Sequence, residues 1–208
     1  SAGSEIVCFV KGVGFFIYDD SIDEFNFVKT DFVTEVKDFS IDKLDNLLFL
    51  LEDGTIAHIS YRQFIKEGKK DKLLSIGMDG PVSLFQSGGR FVLNGKNRLF
   101  ILNHDFTVSH SIRLSISKPV SQVLLSGDVM YISFIEGGCI LYDLKSDTHT
   151  YLDELPNQLS VFTLYLGSQN ILWIGTDGQG LIQFYHYDSL FQTIHTTHPV
   201  RCFCEDTI

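Results

Sequence analysis

A hairpin-sized pattern that returns about every 42 residues constrains this chain more than any other feature. Its clearest copy, Asn170 to Asp188, reads Asn-Ile-Leu-Trp-Ile-Gly-Thr-Asp-Gly-Gln-Gly-Leu-Ile-Gln-Phe-Tyr-His-Tyr-Asp. An apolar strand, Ile171 to Gly175, runs into a turn built on Asp177-Gly178 and returns as a second apolar strand, Leu181 to Tyr185. Val129 to Asp143 repeats the plan: Tyr131 lies seven positions before Gly138 as Trp173 lies seven before Gly180, and Trp173 follows Tyr131 by 42 residues. Weaker copies are Phe91 to Leu102 around Asn94-Gly95, Leu47 to Ile59 around Asp53-Gly54, and Ile6 to Asp19 around Gly12 and Gly14. Five hairpin cores account for nearly all of the chain.

Each core is flanked by further strand-like runs. Before it stand segments such as Val161 to Tyr165, Val120 to Leu125 or Pro81 to Phe85; after it comes an alternating run, clearest at His110 to Ile116. There Ile112, Leu114 and Ile116 face one way and Ser111, Arg113 and Ser115 the other. Middle strands apolar on both faces and a last strand apolar on one are what a stack of four-stranded sheets requires. No long segment carries the i, i+3, i+4, i+7 spacing of a helical repeat. A period near 42 with four strands per unit is therefore predicted to be all-β, a series of β-propeller blades. The repeats fall at about 5–30, 31–77, 78–117, 118–157 and 158–198 of one propeller segment spanning 1–208, with 199–208 opening a further copy.

Trp173 is followed by Ile174 and lacks a preceding Gly-His signal, which disfavours a WD40 blade, and the period is short for kelch. Leu172-Trp173-Ile174-Gly175-Thr176-Asp177-Gly178-Gln179-Gly180-Leu181 instead resembles the core of the two-component regulator propeller repeat. Val200-Arg201-Cys202-Phe203-Cys204-Glu205-Asp206 looks like that repeat's opening strand. The other four copies keep the spacing and lose the letters. The resemblance implies an extracytoplasmic, periplasmic sensor region of a hybrid two-component histidine kinase, detecting oligosaccharides to regulate polysaccharide use, with no chemistry and no cofactor of its own. A secreted carbohydrate-active propeller enzyme, lyase or hydrolase, and a plain interaction scaffold are the alternatives, because this fold hosts all of them.

Composition narrows the partners. With 16 basic against 26 acidic residues and a formal charge of -10, nucleic acid is a poor ligand. No apolar run reaches membrane-spanning length. Ser1-Ala2-Gly3-Ser4 carries none of the features of a signal peptide, so export is expected only through the resemblance.

Motifs for chemistry are sparse. Cys8, Cys139, Cys202 and Cys204 read as small apolar residues of strands, since two same-side neighbours such as Cys202 and Cys204 make an awkward disulfide. His195 and His198, beside His186, fall on an outer strand running toward Pro199, where the two imidazoles point apart, so no metal is expected. Asp53, Glu136 and Asp177 lie in equivalent turns; a glycosidase would need a carboxylate pair roughly 5 to 10 Å apart across a cleft, and Asp before Gly is also ordinary turn chemistry.

Those turns mark the expected binding face. In an antiparallel four-stranded blade, the turn between strands two and three lies at the same end as the link to the next blade. Asp53, Lys96, Arg98, Glu136, Asp177 and Gln179 are thus expected around one mouth, with the linkers at Pro81, Pro119, Pro156 and Pro199, for an oligosaccharide or other small ligand. Trp173, Gly175, Thr176, Gly178 and Gly180 complete the structural core of the repeat. Tyr61 to Lys72 departs from the period and reads as a helical turn followed by a solvated basic loop. The first copy lacks a leading strand and the last stub supplies one. The chain is thus expected either to close a small ring or to be part of a longer array packed against neighbouring blades, whose open strand edges favour a homodimer.

Overall fold

Period-two apolar runs become strands wherever Gly, Asp or Asn interrupts them. The computed structural model describes residues 6–41, 46–68, 72–74, 83–95, 97–115, 118–152, 155, 159–167, 169–185 and 192–194. The first sheet holds β1 (Val7–Val10), β2 (Gly14–Asp19) and β3 (Glu24–Val28). The second has β4 (Val36–Ile41), β5 (Asn46–Leu51), β6 (Ile56–Ser60) and β7 (Lys72–Leu74), with helix α1 (Tyr61–Glu67) between β6 and β7. The third has β8 (Ser83–Ser87), β9 (Arg90–Asn94), β10 (Arg98–Leu102) and β11 (Val108–Arg113). The fourth has β12 (Val120–Ser126), β13 (Val129–Phe134), β14 (Cys139–Asp143) and β15 (Thr148–Tyr151). The fifth has β16 (Val161–Leu166), β17 (Ile171–Thr176), β18 (Leu181–Tyr185) and β19 (Gln192–Ile194). Every sheet runs in sequence order with antiparallel neighbours, the meander of a propeller blade. Two compact units, Ser1–Arg113 and Leu114–Ile208, carry three and two of these sheets.

In the first unit the two faces of the second sheet are both buried. Leu47, Phe49 and Leu51 of β5, with Ala57 and Ile59 of β6, share a core with Phe15 and Ile17 of the first sheet. The alternate residues Leu48, Leu50 and Ile56 pack with Leu84, Phe91, Leu93 and Leu102 of the third. Each such side chain taken from water contributes about 1.5–3 kcal/mol. Phe15 centres the first cluster, its ring 5.1 Å from Phe64, 5.3 Å from Phe39 and 5.5 Å from Phe49.

Phe64 comes from α1, the helical turn expected at the start of the Tyr61 to Lys72 segment, and it enters the core; the basic loop expected after it lies largely outside the described residues. Tyr61 and Phe64 are buried, and the helix ends at Gly68, whose φ of 62° is left-handed and whose N–H bonds Phe64 O. The fourth and fifth sheets of the second unit pack likewise. Leu164, Leu172, Ile174, Ile182 and Phe184 meet Tyr131 and Cys139, while Leu152, Leu155 and Leu159 of the connecting segment seal the join.

Three of the leading strands, β4, β12 and β16, share a device absent from the sequence reading. Their registers slip at Val36/Asp38, Val120/Gln122 and Val161/Thr163, so each carries a one-residue bulge. In β4 and β12 the residue after the bulge clasps the next sheet. Asp38 Oδ2 accepts from the Leu84 N–H at 2.9 Å, and Gln122 Oε1 accepts from the Leu164 N–H. Cysteine divides two ways: Cys139 is buried as expected, but Cys8 is exposed, contrary to the expectation of small buried residues. Cys202, Cys204, His186, His195 and His198 lie outside the described residues.

Candidate functional site

The turns between second and third strands are held against the linkers by backbone hydrogen bonds. Glu52 N–H bonds Glu35 O at 2.7 Å, Ile135 N–H bonds Pro119 O at 3.0 Å and Asp177 N–H bonds Ser160 O at 3.0 Å. In each case the acceptor immediately precedes the leading strand of the same sheet. This backbone equivalence refines the alignment of the acidic residues. Asp177 stands where Glu52 and Ile135 stand, whereas Asp53 and Glu136 occupy the next position, filled in the fifth sheet by Gly178. The turns correspond; the three carboxylates do not.

In the second unit two turns meet on one segment. Gly138 N–H donates to Leu159 O at 3.2 Å, and Asp177 N–H donates to the adjacent Ser160 O. The fourth-sheet turn bearing Glu136 and the fifth-sheet turn bearing Asp177 and Gln179 are thereby anchored on consecutive carbonyls, with all three residues exposed. Lys118 Nζ donates to Gly137 O at 2.9 Å, adding a cation beneath the fourth-sheet turn. Gly178 and Gly180 hold φ of 83° and 80°, which L side chains rarely adopt, and Thr176 Oγ1 closes the turn on Gly180 O at 2.7 Å. Trp173 is half-buried behind it, pairing with Tyr165 and Gln183 across the sheet, and Gly175 pairs with Thr163 and Leu181.

In the first unit the turn residues are engaged differently. Asp53 Oδ1 accepts from the Thr55 N–H at 2.8 Å, the turn-forming role. Lys11, on the first sheet's turn, pairs with Glu52, and this contact holds the Glu52 carboxyl below its ordinary value. Arg98 is exposed and its Nη1 reaches Ser111 Oγ at 3.2 Å on the outer strand. Lys96 lies outside the described residues.

At the opposite ends of the sheets, carboxylates serve the backbone. Asp19, Asp105 and Asp143 accept hydrogen bonds from Ser21, Thr107 and the Lys145 and Ser146 amides, which hold all three below the ordinary carboxylate range. Tyr18 donates to Asp23 and Tyr142 to Asp147, each acceptor in the left-handed region five residues on. The Tyr-Asp ending of a repeat thus has a structural account that the sequence reading missed; the spacing of Tyr18 to Asp23 and Tyr142 to Asp147 was the available signal. Among the described residues no group of three His, Cys, Asp or Glu side chains could hold a metal, and no helix is long and apolar enough to cross a membrane.

The blades define a β-propeller-type repeat protein, and comparison with solved structures agrees. The chain is similar to the extracellular domain of BT4673 of B. thetaiotaomicron in two structures, one titled a one-component and one a hybrid two-component system. The TM-scores are 0.62 and 0.65, at 13% and 16% identity, over 87% and 95% of this chain. It spans only 26% and 29% of those chains. The fold expected from the resemblance at Leu172 to Leu181 is thus the fold that these neighbours share. Virginiamycin B lyase from Staphylococcus aureus is also similar, with a TM-score of 0.64 and 12% identity over 91% of this chain and 69% of the lyase. No protein-family model and no curated protein sequence matches.

Proposed function

We propose that this chain is a ligand-sensing, extracytoplasmic part of a two-component signalling protein, and that its ligand is an oligosaccharide. The observation that carries the reading is the likeness to the extracellular domain of a hybrid two-component system over 95% of the chain, joined to the Trp173 to Gly180 core. The ligand class rests on the repeat family that this core resembles. Glu136, Asp177 and Gln179, exposed on turns pinned to Leu159 and Ser160, offer hydrogen-bonding groups on rigid backbone, which suits sugar hydroxyls. Asp53, Lys96 and Arg98 are the corresponding candidates of the first unit.

The test is calorimetric titration of the chain with a panel of plant and host oligosaccharides, followed by product analysis of each mixture. Binding without turnover is expected, and paired Asp177→Asn and Gln179→Ala substitutions should weaken it about tenfold or more, as loss of charge-assisted hydrogen bonds does. Cleavage of a glycan would establish the enzyme reading in place of the sensor. Affinity unchanged by both substitutions would move the site off this face.

A further inference from the structure

The outer edge of the fourth sheet is open for pairing. β15 reads Thr148-His149-Thr150-Tyr151, and all four residues are exposed. Its register with β14 runs without a slip from Asp143 opposite Thr148 to Ile140 opposite Tyr151. The outer strands of three other sheets carry devices that blunt such an edge. β3 opens on Glu24 and β7 on Lys72, while β11 ends on Arg113 and slips register where it meets Ile101 and Leu102. β15 has no charged residue, no proline and no bulge, and its Thr and Tyr residues favour extended backbone. Further sheets of such an array stack face to face, so none of them covers an outer edge.

The parity of the ladder decides what this edge offers. Leu152 N–H bonds Cys139 O at 3.0 Å. Bonded and non-bonded pairs alternate along an antiparallel ladder, so Leu141 with Thr150 and Asp143 with Thr148 are bonded pairs as well. Thr148 and Thr150 therefore turn their N–H and C=O groups to β14, and His149 and Tyr151 turn theirs outward. The rings of His149 and Tyr151 share one face with centroids 5.8 Å apart, and Tyr142 stacks on His149 at 6.3 Å. Two outward residues on either side of Thr150 make a self-complementary set. An antiparallel copy related by a two-fold axis through Thr150 sets His149 against Tyr151 of the second copy and Tyr151 against its His149. Each pair exchanges two backbone hydrogen bonds and brings an imidazole beside a phenol ring. No other antiparallel register of two copies uses every outward group.

We propose that the chain forms a symmetric dimer by pairing β15 edge to edge with β15 of a second copy, so that the two fourth sheets continue as one. Thr150 then faces itself across the axis at a non-bonded position, where Cβ atoms approach to about 5 Å. Sedimentation equilibrium tests it at about 0.15 M salt, where charges more than about 8 Å apart are screened and those facing across the axis are not. A mass rising with concentration from 23.5 kDa toward twice that value is expected. Thr150→Lys and Thr150→Glu should each weaken association about tenfold or more, because each sets like charges against one another at the axis. An equimolar mixture of the two variants should restore it. Thr150 is exposed in the single copy, so both variants should keep the circular dichroism spectrum of the parent chain. A mass of 23.5 kDa at every concentration overturns the proposal and leaves the edge to an extended segment of a different protein. A dimer that both variants keep, or a mixture of the two folded variants that stays dissociated, overturns it equally.

Discussion

Gly68 is the position where one methyl group has the most to disturb. Its φ is +62°, and an added Cβ would sit 2.1 Å from Lys29 O, an atom of backbone that cannot swing aside. Gly12 has a similar φ of +77° with nothing within 4 Å of the same imaginary atom. The left-handed penalty of about 1 kcal/mol is common to both; the collision belongs to Gly68 alone. Gly68→Ala is therefore expected to destabilise the fold by roughly 2–4 kcal/mol and Gly12→Ala by about 1 kcal/mol, read as the shift in urea midpoint. Equal effects would mean that the close approach to Lys29 relaxes at little cost.

Among elements, the bulged leading strands matter most, because they join one sheet to the next by a directional contact as well as by apolar burial. Gln122→Ala removes the acceptor for the Leu164 N–H and leaves that donor partly buried between two sheets. A loss of about 1–3 kcal/mol is expected, recovered in large part by Gln122→Glu and absent at Gln86→Ala, a half-buried glutamine on β8. The hairpin cores were readable because apolar alternation and the Asp-Gly or Asn-Gly turns are local signals, and all five appear as paired strands. A bulge leaves no such trace, since it shifts register by one residue without changing composition. Two other features escaped for the same kind of reason. A helical turn was legible at Tyr61, but not that it would carry Tyr61 and Phe64 into the Phe15 cluster, a consequence of tertiary packing. Asp53, Glu136 and Asp177 lie on turns between second and third strands, as strand counting expects, but only backbone hydrogen bonds reveal that Asp177 is one position out of step with Asp53 and Glu136.

For the whole molecule, the titrating groups set a stability plateau with different causes at its two edges. Glu52 is held below its ordinary 4.5 by Lys11, and Asp19, Asp105 and Asp143 below 3.8 by hydrogen bonds from neighbouring hydroxyl and amide groups. Groups whose folded pKa is lowered contribute above their unfolded value and lose that contribution as pH falls through the folded one, so stability should decline below about 4.5. On the alkaline side burial pushes the Cys139 thiol from 9.0 up to about 12, and burial with the Asp147 contact pushes the Tyr142 phenol from 10.0 to about 12. Raised groups act in the opposite sense: their contribution is complete below the unfolded value and is lost as pH rises toward the folded one. Urea midpoints measured across the pH range should therefore fall below about 4.5 and again above about 9. Cys139→Ala will cost stability at neutral pH through the small cavity it leaves, but its alkaline decline should begin near the tyrosine value of 10.0 instead of 9.0. An alkaline limb unchanged by that substitution would mean that the buried thiol does not set the edge, and that phenols alone do.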